Sequence, residues 1–266
     1  MVGKSTLPLL LMALISVASH AAGTGETIEY RGSFDGATTI VISTGSVDID
    51  IEPTDGPARY EAALHVNREL VTSQTGARAD MRIEGSVGLM LGSLREEVTV
   101  YVSEGTVVEL QAGSADIRAR ELDRVQLSIS TGSGDVEIRD GSGVYEIVTS
   151  SGDQELTELE GTLSLEASSG DIDLSGVSGL RSVSTSSGDL SADDLLLQDS
   201  LEISTGSGDV RISFANRSDE LRFDLRSSTG DLRVDDREAE DRLLTGDGDI
   251  LIEASSASGD QRYSAR

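Results

Sequence analysis

Apolar and polar residues alternate with a period of two along most of the chain, and a short turn containing Gly-Asp interrupts this alternation at regular intervals. Such alternation is typical of a β-strand with one buried face. Each repeat is therefore predicted to contain two short strands, one on either side of the turn. Successive turns are 18 to 22 residues apart, and Asp116 and Asp48 mark earlier, less regular members of the series. The aspartates of the regular turns are Asp135, Asp153, Asp171, Asp189, Asp209, Asp231 and Asp249.

Alignment of these nine aspartates shows which positions face inward. The residue six positions before each aspartate is always apolar, the residue four before is small, and the residue directly after is apolar except at Gln154. A repeat this short cannot bury its own apolar face, so stacked repeats are needed to build a continuous core. The pattern therefore predicts an all-β, single-domain parallel β-solenoid with about 18–22 residues per coil. Corresponding strands of consecutive coils would pair in parallel, about 4.8 Å apart.

Two further expectations concern the coil itself. A left-handed hexapeptide helix needs an aliphatic residue at every sixth position, and the series that starts at Ile138 and Val144 fails at Ser150. The fold is therefore expected to resemble the right-handed β-helix. In the turns, glycine is predicted to provide a positive φ angle, and aspartate and serine are predicted to hydrogen-bond backbone groups of the same turn.

The repeat pattern divides the chain into four regions. Residues 52–100 contain strand-like pieces without the period, and they are expected to cover a solenoid end that would otherwise expose unpaired strand edges. Residues 214–220 are expected to absorb the extra length of the longest coil. The predicted regions are a signal peptide (1–21), an N-terminal strand with an irregular capping region (22–103), regular repeats (104–253) and a frayed C-terminal tail (254–266). Residues 254–266 carry another Gly-Asp, Gly259–Asp260, after only 11 residues, so an incomplete final coil is the alternative to a frayed tail.

The N-terminus has the three parts of a secretory signal peptide. Lys4 is the positive residue, residues 7–17 are apolar, and Ser19 and Ala21 are the small residues before a predicted cleavage after Ala21. The apolar run is too short to span a bilayer. We therefore expect an exported protein of the periplasm, cell surface or extracellular space, with no integral membrane segment after cleavage.

The composition narrows the choice of partners. The net charge is -27, with a single lysine, and such a surface repels phosphate backbones and anionic lipid headgroups. Nucleic-acid binding is therefore excluded. Aromatic residues make up 3% of the chain, and tryptophan and cysteine are absent, so the core is expected to be narrow and filled by Leu, Ile and Val.

The serial Ser-Ser-Gly-Asp-[Ile/Leu] turns resemble a bacterial family of unknown function, whose members are usually labelled "putative adhesin". The order of parts is similar too: a first turn at residues 44–49 (TGSVDI), an irregular stretch, and residues 100–105 (VYVSEG) leading into the regular coils. The chain departs from the family at Ser103, where Pro is common, and at Val47 and Ala115, where Gly is common. The resemblance implies a β-strand repeat fold and an adhesion-type role, and it carries over no catalytic residues.

Residue types that carry catalysis give little support for an enzyme. His65 is the single histidine after the predicted cleavage site, so a Ser-His-Asp triad would depend on it. A glycosidase needs only two carboxylates, and 48 acidic residues make a chance pair uninformative. Long loops that would wall a cleft are not visible in the repeats. The chain is predicted not to be an enzyme, and a carbohydrate-active β-helix enzyme is the weaker alternative.

The stacked aspartates raise the question of whether the protein binds calcium. Repeats with a GGxGxD core bind calcium with a period of nine, but here Asp follows Gly directly, and Gly246–Asp249 is the nearest match. The favoured interpretation is that each aspartate closes its own turn, with no cofactor. Weak candidates for loose Ca²⁺ binding are Asp135, Asp153, Asp171, Asp189, Asp209, Asp231, Asp247 and Asp249.

These observations predict a non-enzymatic binding or adhesion module of the cell envelope, whose partner is an unidentified protein or glycan. A solenoid offers long, flat faces suited to such a partner. The arginines near one strand, at Arg118, Arg139, Arg211 and Arg233, are interpreted as a solvated face that offsets the acids. A periplasmic scaffold or signalling partner is the alternative.

Overall fold

The computed structural model describes residues 27–85 and 96–266, which form 22 strands and one 3₁₀ helix, Ser218–Glu220. The predicted signal peptide and most of the loop between residues 85 and 96 lie outside the described residues. The strands are β1 Thr27–Phe34, β2 Thr39–Thr44, β3 Asp48–Pro53, β4 Ala58–His65, β5 Glu69–Thr75, β6 Arg78–Glu84, β7 Glu97–Val102, β8 Val107–Ala112, β9 Ile117–Thr131, β10 Val136–Thr149, β11 Gln154–Ala167, β12 Ile172–Ser175, β13 Ser178–Thr185, β14 Leu190–Leu195, β15 Leu201–Thr205, β16 Val210–Phe214, β17 Leu221–Ser227, β18 Leu232–Val234, β19 Arg237–Ala239, β20 Arg242–Gly246, β21 Ile250–Ser256 and β22 Gln261–Ser264.

The strands before the turns form one face of the molecule, the leading sheet, and those after the turns form the other, the trailing sheet. The leading sheet runs β5-β6-β2-β8-β9-β10-β11-β13-β15-β21-β17-β20, with parallel pairing except at the two outermost strands. The trailing sheet runs β1-β4-β7-β3-β9-β10-β11-β12-β14-β16-β22-β18-β19. β9, β10 and β11 bend from one sheet into the other. The predicted parallel β-solenoid is confirmed.

The core lies between the two sheets and is filled by the residues that the repeat alignment places inward. Ile129, Ile147 and Leu165 stand side by side in consecutive coils and are at most 3% exposed. Aromatic rings lie near the two ends of the stack, where Phe34 packs on Tyr60 with ring centroids 5.2 Å apart, and a second cluster surrounds Tyr263. The narrow aliphatic core is thus closed at both ends by larger side chains.

The turn glycines serve a different purpose from the predicted one. Gly152 and its equivalents from Gly134 to Gly208 do not have positive φ angles, so the expectation of left-handed backbone is wrong there. A Cβ atom on Gly152 would lie 1.9 Å from the carbonyl oxygen of Gly134 in the neighbouring coil. Glycine is required because consecutive turns stack backbone on backbone.

Because the turns approach each other so closely, a larger residue in place of the turn glycine is predicted to destabilise the protein. Gly152→Ala is expected to lower the free energy of unfolding by about 1–3 kcal/mol, because the coils must separate to admit the methyl group. Gly45→Ala is the matched control, since a Cβ atom there meets nothing within 4 Å. Chemical denaturation of both variants measures the difference. Equal stabilities would contradict the stacking explanation.

The C-terminus is the main correction to the predicted organisation. Residues 254–266 are not a frayed tail, because β21 and β22 form a complete coil between β15/β16 and β17/β18. The turn of this coil is Gly259–Asp260, so Asp260, and not Asp249, continues the aspartate series. The chain builds the outer coil first, returns through β19 and β20, and then inserts its last coil inside.

The N-terminal end has a related arrangement. β2 and β3 lie between β8/β9 on one side and β6/β7 on the other, so the first coil is also an inner one. β5 and the β4–β1 pair then continue the two sheets in antiparallel fashion. β1, β4 and β5 thus cover the end of the stack, and β6 and β7 add a further parallel coil. No helix among the described residues is long and apolar enough to cross a membrane.

Candidate functional site

The turn aspartates form one hydrogen-bonded row along a corner of the solenoid. The backbone N–H of each aspartate donates to Oδ1 of the aspartate in the preceding coil of the stack, over 2.8–3.2 Å. The interpretation that each aspartate closes its own turn is therefore wrong, because these bonds link different coils. In stacking order the row is Asp48, Asp116, Asp135, Asp153, Asp171, Asp189, Asp209, Asp260 and Asp231.

Six of the eight weak calcium candidates belong to this row, and Asp247 and Asp249 do not. These two lie between β20 and β21, where they line an open cleft of about 550 Å³ with Leu196, Asp219 and Glu220. Within residues 27–85 and 96–266, no three His, Asp or Glu side chains are arranged to hold a metal ion. The row is explained by coil-to-coil hydrogen bonding.

A calcium requirement can be tested directly. We expect the same thermal unfolding midpoint in millimolar calcium chloride and in EDTA, because one carboxylate oxygen of each row member except the last is already bound to a backbone N–H. Differential scanning calorimetry of the full chain measures both midpoints. A midpoint raised by calcium and lowered by EDTA would show that the row binds the ion.

His65 has a structural position. Its side chain is buried, and its Nδ1 accepts a hydrogen bond from the backbone N–H of Asn67 over 3.1 Å, in the turn after β4. Its own backbone N–H donates to Glu96. The buried side chain and this hydrogen bond give His65 a structural role in the turn after β4.

A groove on the outer face of the trailing sheet brings together polar side chains from β1, β4, β7, β3 and β9. It consists of two shallow cavities of about 210 and 230 Å³ that meet at Glu97. Ala63 and Thr99 form its floor, since larger residues flank these positions. We call this surface the N-terminal groove; its polar lining is Glu29, Arg31, Glu61, Glu97, Thr99, Asp50, Glu52, Arg118 and Arg120.

Two carboxyl groups meet at the centre of the groove. Asp50 on β3 and Glu97 on the adjacent strand β7 are joined by a side-chain hydrogen bond. Burial, followed by this hydrogen bond and the charge of Glu97, raises the pKa of Asp50 to about 6, against the opposing effect of Arg118 and Arg120. Below about pH 6 the pair therefore holds one proton, which lets it both donate and accept hydrogen bonds.

The arginines of β9 have unused donors beside this pair. Arg118 contacts Asp116 over 3.4 Å and Glu137 over 3.8 Å, while its Nη1 is buried without a hydrogen-bond partner. Arg120 is exposed and, among the described residues, makes no hydrogen bond or ion pair. The groove thus combines the exposed guanidinium of Arg120 with carboxylate acceptors on paired strands.

The carboxyl pair predicts a pH dependence of stability. Since folding raises the pKa of Asp50 to about 6, the protonated pair stabilises the folded state fully below about pH 4, and this contribution is lost as the pH rises through about 6. In the Asp50→Asn variant the side-chain amide cannot ionise. The unfolding midpoint of the variant, relative to the unmodified chain, is therefore expected to be higher at about pH 8 than at about pH 5. A difference that does not change with pH would contradict the assignment.

Sequence patterns did not identify this groove. Asp50 and Glu97 are far apart in the chain and become neighbours only because β7 pairs with β3 after the chain has formed β4, β5 and β6. Arg118 was noted, but as part of a solvated face, and Arg120 was not singled out.

A comparison with known proteins gives a family match that spans both the coils and the cap. The sequence profile of the Toastrack family (DUF4097) matches residues 37–264. The chain belongs to the Toastrack family. This confirms the predicted relationship to the bacterial family of unknown function with "putative adhesin" members. No curated protein matches this Toastrack chain significantly.

Solved structures are similar to this Toastrack chain at low sequence identity. A "putative adhesin" from Bacteroides fragilis NCTC 9343 is 14% identical, with 90% of this chain and 97% of that chain covered and a TM-score of 0.53. A "putative lipid binding protein" from Parabacteroides distasonis ATCC 8503 is 18% identical, with 90% and 98% covered and a TM-score of 0.49. A "putative adhesin" from the same strain is 15% identical, with 92% and 100% covered and a TM-score of 0.41.

Proposed function

We propose that the protein is an exported, non-enzymatic binding module of the cell envelope, and that its N-terminal groove binds a hydroxyl-rich ligand, an envelope glycan. The observation that carries this proposal is the exposed Arg120 guanidinium beside the Asp50 and Glu97 carboxyl groups. Export is supported by the signal-like residues 1–21, and an adhesion-type role agrees with the names of the structural neighbours.

The chemistry of the groove suits a glycan better than a charged polymer. Sugar hydroxyls both donate and accept hydrogen bonds, and the groove offers both functions: guanidinium donors on the exposed Arg120, a carboxylate acceptor on Glu52 and, below about pH 6, a proton on the Asp50–Glu97 pair. All of these side chains project from strands, which hold binding groups in place more firmly than loops do. The open, shallow shape leaves room for a chain to continue beyond the contacted unit.

The same geometry argues against glycoside hydrolysis. The catalytic carboxyl groups of glycosidases lie at least about 5 Å apart, with the scissile bond between them. Asp50 and Glu97 are hydrogen-bonded directly to each other, so a substrate bond does not fit between them. The pair is suited to holding a hydroxyl group and not to cleaving its linkage.

The test is a binding measurement with a panel of neutral and acidic envelope oligosaccharides, by calorimetry or on an array. Arg120→Ala is expected to weaken binding roughly tenfold or more, since a hydrogen bond to a charged group contributes about 1.5–3 kcal/mol. Arg139→Ala is the matched control, because Arg139 occupies the same register in the next coil and is already paired with Glu137 and Glu155. Absence of oligosaccharide binding, or an equal effect of both variants, would refute the proposal.

A further inference from the structure

The last coil of the chain fills a slot whose two walls are made by earlier residues. We call residues 250–264, which comprise β21 and β22, the C-terminal coil. β21 pairs in parallel with β15 on one side and β17 on the other, and β22 pairs in the same way with β16 and β18. Both edges of both strands are therefore used, and the slot is complete only when this coil enters it.

The contacts within the slot do not depend on how the coil is connected. The Tyr263 ring lies 6.3 Å from Phe214 and 5.8 Å from Phe223, measured between centroids. The Asp260 backbone N–H donates to Asp209 Oδ1, and Asp260 Oδ1 accepts from the backbone N–H of Asp231. An identical coil from another molecule could make every one of these contacts.

The buried Gln261 side chain also makes hydrogen bonds that do not depend on how the coil is connected to the rest of the chain. The Gln261 side-chain amide donates to the carbonyl oxygen of Arg226 over 2.9 Å and to the Ser256 hydroxyl over 2.9 Å, and its Oε1 accepts from the Tyr263 hydroxyl. Gln261 is 1% exposed, so these bonds satisfy a polar group that would otherwise be costly to bury. The bond to Arg226 joins the coil to the slot, while the bonds with Ser256 and Tyr263 lie within the coil itself.

The connection to the coil, in contrast, is tightly packed. β20 lies on the outer side of β17 and β21 on the inner side, so residues 247–249 must cross over the start of β17. Gly248 packs so closely there that a Cβ atom would lie 2.0 Å from the carbonyl carbon of Glu220. Asp247 and Asp249 line the same cleft as Asp219 and Glu220, which brings like charges together at the crossing.

We propose that the slot accepts the C-terminal coil of a second copy of this chain, which gives a dimer that exchanges residues 250–264. The exchange keeps every contact of the slot and opens the crowded, acidic crossing at residues 247–249. Exchange of an identical element is a low-cost route to a symmetric dimer. The inference is independent of the proposed glycan binding, and the dimer would carry two N-terminal grooves.

Because the chain has no cysteine, single thiols can report the exchange in the full-length protein. Ser204 and Ser255 are exposed and lie directly opposite each other on β15 and β21. Ser204→Cys and Ser255→Cys chains are mixed, unfolded, refolded together at high protein concentration and treated with a short bis-maleimide. Exchange places the two thiols of different molecules side by side, so a covalent dimer is expected on a denaturing gel.

The control mixture uses Ser184→Cys with Ser204→Cys. These serines are also exposed and directly opposite each other, on β13 and β15, but they belong to coils that follow each other along the chain. No covalent dimer is expected from this pair. Covalent dimer from the Ser204 and Ser255 pair at no more than the control level, together with a monomeric mass for the refolded unmodified chain by light scattering, would overturn the proposal.

Discussion

A chain that ends at Asp249 is expected to lose the order of residues 221–246 as well as the residues removed. β17 and β18 have only β21 and β22 as parallel partners, and their remaining neighbours are the short antiparallel strands β20 and β19. In a solenoid each coil is stabilised mainly by its interfaces with neighbouring coils. The truncation removes one coil and two interfaces, and it leaves the outermost coil attached only through its chain.

Hydrogen exchange followed by mass spectrometry measures this effect by segment. Residues 221–246 are expected to lose protection in the truncated chain, while residues 107–185 keep it because their strands pair only with neighbouring coils that the truncation leaves in place. A chain that ends at Ser264 is the control, since it retains β21 and β22 in full. Protection of residues 221–246 in both truncated chains would mean that β17 and β18 stack directly on β15 and β16.

The repeat alignment predicted which residues form the core, because the alternation of apolar and polar residues is a feature of each coil by itself. Alternation within one coil decides which side chains point inward, as at Ile147 and Leu165, and identical coils then stack in register. The role of the turn glycine was missed for the opposite reason. The distance between Gly152 and the Gly134 carbonyl belongs to two coils and is not visible in either one.

The order of the coils could not be predicted from the period. Gly248–Asp249 follows the previous turn at the usual spacing, so counting favours it over Gly259–Asp260. Yet Ile252, Ala254 and Ser256 stand before Asp260 at the same inward positions as in the other repeats, and this signal was available. Even with it, coils that share one register can stack in any order, and the inserted position depends on the return through β19 and β20.

The N-terminal groove was still less accessible to prediction. Its side chains come from five strands, and the antiparallel path of β4 and β1 brings Arg31 and Glu61 to the same surface as Asp50. Nothing in the alternation of residues 52–100 specifies this path. The groove therefore follows from the capping of the solenoid end: the residues that protect the open edge also widen the trailing sheet and create a surface that the regular coils lack.

Loss of the Arg68 side chain from this cap is expected to lower the free energy of unfolding strongly. Arg68, in the turn between β4 and β5, is buried with Glu96, and their side chains are 8% and 14% exposed. The guanidinium also donates to the carbonyl oxygen of Gly85 over 2.8 Å and to the Ser46 hydroxyl over 2.9 Å. One side chain thus joins the β4–β5 turn, the end of β6, the start of β7 and the first turn of the solenoid.

Arg68→Met is expected to lower the free energy of unfolding by about 3–5 kcal/mol, because it leaves the Glu96 carboxylate buried without its counter-ion. Chemical denaturation measures the loss. Arg82→Met is the matched control in the same cap, since Arg82 is 67% exposed and its pair with Glu84, 3.6 Å apart, is expected to contribute at most about 1 kcal/mol.

The double variant Arg68→Met with Glu96→Leu separates the loss of the pair from the burial of a lone charge. Removing both charges is expected to recover much of the stability. Recovery should remain incomplete, because the backbone N–H of His65 then loses its acceptor on Glu96, at a cost of about 1–3 kcal/mol. Equal stability of the Arg68 and Arg82 single variants would show that the ion pair does not hold the cap, and the groove would then owe its shape to the paired strands β1, β4 and β7 alone.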